Sequence, residues 1–195
     1  MWRMHHLLHM RARDADWSRT PLPPCPRCAG TDSFGQVGQG GEAGPYVREP
    51  LPVRIGLDGR RVVAIAAGEY HSLAIDEDGA VFGWGANGTG ALGTGDRTDS
   101  STPRLVLINP QDRAIAVAGG GAHSLVLLED GRVLAMGRGR SGQLGRGGAL
   151  ESVAAFRTNP VEVPEFGPGR AAGAAASVAA GRDHSIALVK APTQQ

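Results

Sequence analysis

The chain has 195 residues, a formal net charge of +1 and 41% hydrophobic residues, of which few are aromatic. A charge so near zero creates no field that attracts nucleic acid or an anionic membrane surface, and no apolar run approaches the ~18 residues of a membrane helix. We therefore expect no direct nucleic-acid partner and no membrane, and the two cysteines are too few for a disulfide framework, which indicates an intracellular protein, cytoplasmic or nuclear.

Residues 1–30 are rich in arginine and proline and share no pattern with the rest of the chain. We predict a disordered or non-native leader here. Cys25 and Cys28 lie three positions apart, with His5 and His9 upstream, and these are residue types that bind tetrahedral zinc. A second cysteine pair is absent, so the sequence predicts no metal site, and these four residues are the one candidate set.

Residues 31–190 repeat a common pattern. Between residues 68–93 and 120–145, twelve of 26 positions are identical without a gap. A shared Gly-x-x-His-Ser motif begins three units: Gly68, His71 and Ser72; Gly120, His123 and Ser124; Gly181, His184 and Ser185. We therefore divide the chain into a partial repeat at 31–57, full repeats at 61–109 and 113–164, a partial repeat at 176–190 and a tail at 191–195.

Each full repeat contains four short apolar segments and no helical periodicity. In the first unit they are 62–67, 71–75, 81–84 and 103–107. The last is opened by a proline, as is the corresponding segment 160–163 of the second unit. The Asp-Gly pairs at 78–79 and 130–131 predict two-residue hairpin turns. Neither partial repeat contains the Asp-Gly-x-Val strand. Four-stranded units repeated in sequence predict an all-β fold, a partial β-propeller of four-stranded antiparallel blades in an open arc.

These motifs resemble the repeat of the regulator of chromosome condensation family. The matching residues are Ala67-Gly68, His71-Ser72, Asp78-Gly79, Val81, Trp84-Gly85, Asn87, Gly90, Leu92-Gly93 and Pro103. The resemblance covers about residues 33–190 and implies a seven-bladed propeller, of which this chain would hold about three blades. It also implies a protein-binding platform, or the family's founding activity, nucleotide exchange on a Ran-like small GTPase with chromatin binding.

Residues at repeated positions of the units are expected to build the blades. They are Gly68, His71, Ser72, Gly79, Trp84, Gly85, Gly93, Gly120, His123, Ser124, Gly131, Gly137, Gly145, Gly181, His184 and Ser185. A catalytic nucleophile and base are needed once, so we interpret the repeated His-Ser pairs as groups that satisfy buried backbone atoms. We predict no catalytic residue and no cofactor.

Loop residues that differ between repeats are free to contact a partner. The candidates are Asp96, Arg97, Arg138, Arg140 and Arg146. Arginine forms paired hydrogen bonds with carboxylates or phosphates, although solvated surface arginine is the simpler interpretation. Three functional hypotheses stay open: a protein-interaction module or scaffold, a guanine-nucleotide exchange factor, and a truncated product without an independent role. We also expect self-association through exposed blade faces.

Overall fold

The structure is a computed structural model that describes residues 26–41, 44–53, 56–57, 59–147 and 156–190. These residues form β-strands and contain no helix that could span a membrane. The strands in chain order are β1 (Arg27–Gly30), β2 (Val47–Pro52), β3 (Val62–Ala67), β4 (His71–Asp76), β5 (Val81–Gly85), β6 (Ser100–Leu105), β7 (Ala114–Gly119), β8 (His123–Leu128), β9 (Val133–Arg138), β10 (Phe156–Glu162), β11 (Ala175–Ala180) and β12 (Ser185–Val189).

Two of the sheets are complete four-stranded blades. Blade 1 has the order β3-β4-β5-β6 and blade 2 the order β7-β8-β9-β10, with antiparallel pairing throughout. Strands β1 and β2 form an N-terminal half-blade, and β11 and β12 form a C-terminal half-blade. The prediction of an all-β partial propeller of four-stranded antiparallel blades in an open arc is confirmed.

The Asp-Gly pairs lie in hairpins, but the loops are longer than predicted. The amide of Asp76 donates to the carbonyl of Ala80, so three residues lie between the last hydrogen-bonded pair. Gly79 closes this loop with φ +83° and donates to the carbonyl of Asp76. A type I turn followed by a left-handed glycine suits a three-residue loop. The prediction of two-residue turns was therefore wrong, and the same geometry recurs around Gly131, with φ +86°.

The proline-containing fourth strands begin earlier than the sequence predicted. Pro103 is the fourth residue of β6, and Pro160 is the fifth residue of β10. Both strands lie at the edge of their sheet, where a residue without an amide proton breaks no hydrogen bond to a further strand. Proline therefore lies within these strands and does not open them.

Strand β1 lies in the segment that we had assigned to the leader. It pairs with β2, and the amide of Val53 donates to the carbonyl of Pro26 at 2.8 Å. In blade 1 the amide of Val106 donates to Val81 in the same way, at 2.9 Å. β1 therefore occupies the third-strand position of its half-blade, which corrects the expectation that this strand is missing from both partial repeats. Residues 1–25 and 191–195 lie outside the described residues.

The core lies between the blades. One cluster joins Leu73 and Val81 of blade 1 to Val126 and Met136 of blade 2, and all four side chains are fully buried. The first strand of each blade contacts the first strand of the next, since β3 contacts β7 and β7 contacts β11. Each buried side chain of this size stabilises the fold by about 1.5–3 kcal/mol. Each blade therefore depends on its neighbours for burial.

The connections after the first and third strands of each blade lie at one end of the sheets, because neighbouring strands are antiparallel. We call this end the loop face. It consists of residues 68–70, 86–99, 120–122, 139–147 and 181–184.

Candidate functional site

The His-Ser pairs form hydrogen bonds across the boundary between blades 1 and 2. His71 of blade 1 lies with Nε2 at 2.8 Å from Oγ of Ser124 in blade 2. Ser124 in turn donates to the carbonyl of Ala91, 2.7 Å away in a loop of blade 1. The serine therefore satisfies a buried carbonyl of the preceding blade, while the histidine contacts the serine of the next blade.

The same arrangement joins blade 2 to the C-terminal half-blade. His123 Nε2 lies 3.0 Å from Ser185 Oγ, and Ser185 donates to the carbonyl of Gln143 at 2.7 Å. Ser72 likewise donates to the carbonyl of Gln36 at 2.8 Å. A contact that recurs at successive boundaries fastens one blade to the next.

The hydrogen bonds fix the protonation state of these histidines. A serine has one proton and Ser124 gives it to a carbonyl, so its oxygen accepts from Nε2–H of His71. Burial, with a smaller contribution from His123, lowers the pKa of His71 to about 4, and burial also lowers the pKa of His123. Both imidazoles are therefore neutral at pH 7 and hold their proton against the serine. Such a histidine does not activate a serine nucleophile.

The glycine before each histidine gives the imidazole its place. A Cβ on Gly68 would collide with the ring of His71, and Gly120 and His123 are related in the same way. The glycines of the third strands have another role. Gly85 has φ +102°, and its Cβ would lie 2.5 Å from the carbonyl oxygen of Tyr70. These positions therefore require glycine for packing and backbone geometry.

The candidate residue Asp96 is held within its own loop. Asn87 is fully buried and donates to Thr94 Oγ1 and to both the carbonyl and Oδ1 of Asp96 at 3.1–3.2 Å. The Arg104 guanidinium donates to both carboxylate oxygens of Asp96, at 3.2 and 2.6 Å. This interaction is the main cause that lowers the pKa of Asp96 to about 2. The carboxylate therefore orders the loop and is already satisfied.

Two candidate arginines converge on an aromatic ring that sequence reasoning missed. The guanidinium carbons of Arg97 and Arg140 lie 4.8 and 5.4 Å from the ring centroid of Phe156. Phe156 pairs with Arg138 across strands β10 and β9. Arg97 is anchored through Nε, which donates to the carbonyl of Gly88 at 2.6 Å. We call Arg97, Arg138, Arg140 and Phe156 the Phe156 cluster. It lies at the loop face and joins blades 1 and 2.

The arginines of this cluster have no ion pair with any carboxylate of the described residues, and neither has the exposed Arg146 in the same loop as Arg140. Arginines elsewhere do form such pairs, as Arg132 does with Asp112 at 2.5 Å. The guanidinium groups of these arginines are therefore not paired with a described carboxylate and are available to an acidic group from outside.

Of the zinc candidates, only Cys28 belongs to the described residues. It is a free cysteine in β1, 6% exposed, and burial raises the pKa of its thiol to about 11. Metal binding needs the thiolate, which this environment disfavours. No group of three or more potential metal ligands occurs within the described part of the chain, and Cys25, His5 and His9 lie outside it.

The repeats also match a family model. The model described as the regulator of chromosome condensation (RCC1) repeat matches residues 28–75, 78–127 and 130–188. The chain belongs to the RCC1 repeat family. A second RCC1 repeat model matches residues 62–91 and 114–143. The match at residues 28–75 includes β1 from Cys28 onward, in agreement with the place of this strand in the sheet.

Several curated proteins contain similar RCC1 repeats. The chain is 36% identical over 160 residues to the probable E3 ubiquitin-protein ligase HERC3 of Homo sapiens, covering 82% of this chain and 14% of that protein. It is 34% identical over 134 residues to the RCC1 domain-containing mitochondrial protein RUG3 of Arabidopsis thaliana, covering 69% of this chain and 28% of that protein. The chain therefore spans less than a third of either relative.

Solved RCC1 structures show the same fold. Human WBSCR16 superposes with a TM-score of 0.70 and 27% identity, over 84% of this chain and 41% of that one. Prp20p from Saccharomyces cerevisiae superposes with a TM-score of 0.69 and 27% identity, over 87% of this chain and 40% of that one. The chain is thus an RCC1-repeat propeller module that corresponds to about two fifths of these structures.

Proposed function

We propose that this RCC1 module is a non-catalytic protein-interaction platform, and that the Phe156 cluster on its loop face contacts an acidic surface of a protein partner. The observation that carries the proposal is the convergence of Arg97 and Arg140 on the Phe156 ring, where neither forms an ion pair with a carboxylate of the described residues. Cation–π contacts with the ring order the two arginine side chains before a partner binds. Less side-chain entropy is therefore lost when these arginines pair with a partner's carboxylates.

The His-Ser chemistry supports the same conclusion. His71 and Ser124 use their hydrogen-bonding groups on each other and on a backbone carbonyl, and both are buried. No substrate could reach this serine without separating the blades. We therefore assign no reaction to the repeated pairs.

The test compares two double substitutions that remove the same charge. R97A/R140A removes the cationic part of the Phe156 cluster, whereas R61A/R113A removes two arginines at the opposite end of the sheets. Arg61 and Arg113 form long, exposed ion pairs with Glu77 and Glu129, at 3.7 and 3.9 Å. Arg113 also donates to the carbonyl of Glu77 at 2.8 Å, but this hydrogen bond is exposed and water can replace it, so loss of the two arginines has little effect on stability. Binding of a fluorescent oligoglutamate peptide to the full chain is measured by anisotropy.

We expect R97A/R140A to weaken binding by about tenfold or more, because each arginine contributes a charge-assisted hydrogen bond of about 1.5–3 kcal/mol. R61A/R113A should retain nearly all affinity at moderate salt. Equal losses in the two variants would mean that the peptide responds only to net charge, and the proposed surface would then be wrong. Proteins that are isolated from cells with the native chain should likewise be lost by the first variant alone.

A second candidate is nucleotide exchange on a Ran-like small GTPase. The similarity to Prp20p favours it, since the binding of that protein to Gsp1p and histones has been described. The test is the release of a fluorescent GDP analogue from a Ran-like GTPase with and without the chain. If a substoichiometric amount of the chain accelerates GDP release, the chain is an exchange factor and the proposal of a simple interaction platform is wrong. If the release rate is unchanged at a saturating concentration of the chain, exchange activity is excluded. The cytoplasmic or nuclear location that we expect suits either function.

The third hypothesis, a chain without an independent role, predicts only association through exposed blade faces. It differs from the interaction platform in its response to R97A/R140A. An association that depends on apolar faces should be unaffected by these substitutions and should strengthen with salt, whereas contacts of the Phe156 cluster should weaken with salt.

A further inference from the structure

The sequence contains serines that follow an arginine by three positions, namely Ser100, Ser141 and Ser185. An arginine at this distance is the feature that arginine-directed protein kinases recognise, because acidic side chains of the kinase pair with its guanidinium group. Of these serines, only Ser141 also has an arginine immediately before it, so that Arg138 and Arg140 both lie on its N-terminal side. Ser141 is therefore the strongest candidate for modification.

The structure separates Ser141 from the other two serines. Ser100 is only 8% exposed and donates to the carbonyl of Thr102 at 2.7 Å. Ser185 lies within strand β12, and its hydroxyl donates to the carbonyl of Gln143. Ser141 is exposed in the loop after β9, where its amide donates to Oε1 of Gln143 at 2.8 Å. Its hydroxyl has no hydrogen-bond partner within the described ranges of the chain.

The exposure of Ser141 is a property of this loop position. Phe34 occupies the equivalent position before blade 1, since its amide donates to Oε1 of Gln36 as the amide of Ser141 does to Gln143. Phe34 is followed by a complete blade and is still 40% exposed. A complete blade beside this position therefore leaves it open to solvent.

The surroundings of Ser141 suit a phosphate. The guanidinium carbons of Arg140 and Arg97 lie 5.4 and 4.8 Å from the ring centroid of Phe156, and Arg138 pairs with Phe156 across the strands. A phosphoserine carries a charge of about −1.5 to −2 at pH 7 and three strong acceptor oxygens. A phosphate on the residue next to Arg140 therefore offers these arginines the same kind of contact as the carboxylates of a partner.

We propose that Ser141 is a phosphorylation site for an arginine-directed protein kinase, and that its phosphate engages the arginines of the Phe156 cluster and so closes this surface to an acidic partner. The effect on the partner rests on the proposed function. In the reaction, Oγ of Ser141 forms a bond to the γ-phosphorus of ATP, and the bond from that phosphorus to the β,γ-bridging oxygen breaks. ADP leaves, and the hydroxyl proton passes to a base of the kinase.

The first experiment measures modification of the folded chain. The full-length chain is incubated with Mg²⁺, ATP and the catalytic subunit of cyclic-AMP-dependent protein kinase, and the phosphate is located by mass spectrometry. We expect one phosphate per chain at Ser141 and none in Ser141→Ala. Arg138→Ala should lower kcat/KM for phosphorylation by about tenfold or more, because a charge-assisted contact with the kinase is lost. Arg146→Ala removes an exposed arginine on the other side of Ser141 and is the matched control, with kcat/KM unchanged.

The absence of phosphate at Ser141 would overturn the proposal. Modification of Ser100 and Ser185 at the same rate as Ser141 would also overturn it, since the kinase would then be acting on unfolded chain.

A pH titration followed by ³¹P NMR shows whether the phosphate contacts the arginines, with no partner present. The second pKa of phosphoserine is about 6, and adjacent guanidinium groups lower it because they stabilise the dianion. We expect this pKa to be lower by about 0.5 or more in the native chain than in R97A/R140A, which keeps Arg138 and remains a substrate. R61A/R113A should titrate like the native chain. Equal pKa values in the native chain and R97A/R140A would overturn the proposed contact.

Binding of the fluorescent oligoglutamate peptide tests the effect on the proposed surface. Phosphorylation should weaken binding by about tenfold or more, and treatment with a phosphatase should restore it. Ser141→Ala that has been exposed to kinase and ATP should keep its affinity. Unchanged affinity after complete phosphorylation would overturn the regulation and leave the binding surface standing. If the unmodified chain does not bind the peptide, the proposed function fails, whereas the ³¹P titration still decides whether the phosphate engages the arginines.

Discussion

At the residue scale, the same hydrogen-bond set occurs once in a buried and once in an exposed setting. Ser124 is fully buried and connects His71 to the carbonyl of Ala91. Ser185 connects His123 to the carbonyl of Gln143, but it is exposed. Water can replace a lost partner only at the exposed position. Comparing substitutions of the two serines therefore distinguishes the free-energy cost of leaving buried groups unpaired from the cost of losing the hydrogen bonds alone.

We predict that Ser124→Ala lowers the free energy of unfolding by about 2–4 kcal/mol, because it leaves both a buried carbonyl and a buried imidazole N–H without a partner. Ser185→Ala, the matched control, should cost about 1 kcal/mol or less. Urea titrations of the two variants beside the native chain measure the difference. If both substitutions had the same effect, the serine hydroxyl would not be a blade-to-blade connection that depends on exclusion of water.

The buried neutral histidines also predict how stability depends on pH. His71 titrates near pH 4 in the folded chain and near pH 6.5 when unfolded, so the unfolded state binds more protons between these values. The stability is complete above about pH 6.5 and should fall by about 1.4 kcal/mol per pH unit towards pH 4. His71→Gln should reduce this slope in urea titrations at several pH values. An unchanged slope would mean that other groups account for the acid sensitivity.

At the element scale, β1 shows where the sequence pattern fails. Its segment Pro26-Arg27-Cys28-Ala29-Gly30 lacks the branched residues and the Asp-Gly turn that identified β5, and it shares with β5 only the final glycine. Gly30 nevertheless has φ +125°, comparable with φ +102° at Gly85. Tertiary contacts with β2 and blade 1 determine this strand, which local propensity alone did not predict.

The other elements also differ in how accurately the sequence predicted them. The second and third strands were predicted almost to the residue, because repetition and buried apolar runs define them. The hairpin loops and the starts of β6 and β10 were not, since backbone geometry at Gly79 and edge position at Pro103 determine them. In the candidate site the arginines were predicted, but Phe156 was not, because contact with Arg97 arises only when two blades pack together.

The order of β1 can be measured through Cys28. In a Cys25→Ser variant, Cys28 is the sole thiol, 6% exposed and with its pKa raised to about 11. We predict very slow reaction with a thiol-specific aromatic disulfide at pH 8, and fast stoichiometric reaction in denaturant. Immediate reaction under native conditions would show that β1 is not held in the sheet and would support a leader that extends to residue 30.

At the scale of the whole molecule, stability should vary from blade to blade. Repeat proteins gain stability from each repeat and from its contacts with neighbours, and the blades here follow that pattern. Strands β4 and β8 are buried along their whole length and pair on both sides, whereas β12 is mostly exposed and pairs with β11 alone among the described strands. Local opening should therefore require the least free energy in the C-terminal half-blade.

We predict that native-state hydrogen exchange is at least about a hundredfold faster in β12 than in β4 and β8, which corresponds to about 3 kcal/mol less protection. Amides of residues 186–188 are compared with those of residues 73–75 and 125–127, which occupy the same positions in their blades. Ser124→Ala should speed exchange in both complete blades, since it removes the connection between them, whereas Ser185→Ala should act on β12. Equal protection in all three strands would show that the chain opens as one cooperative unit, and stability would then not vary from blade to blade.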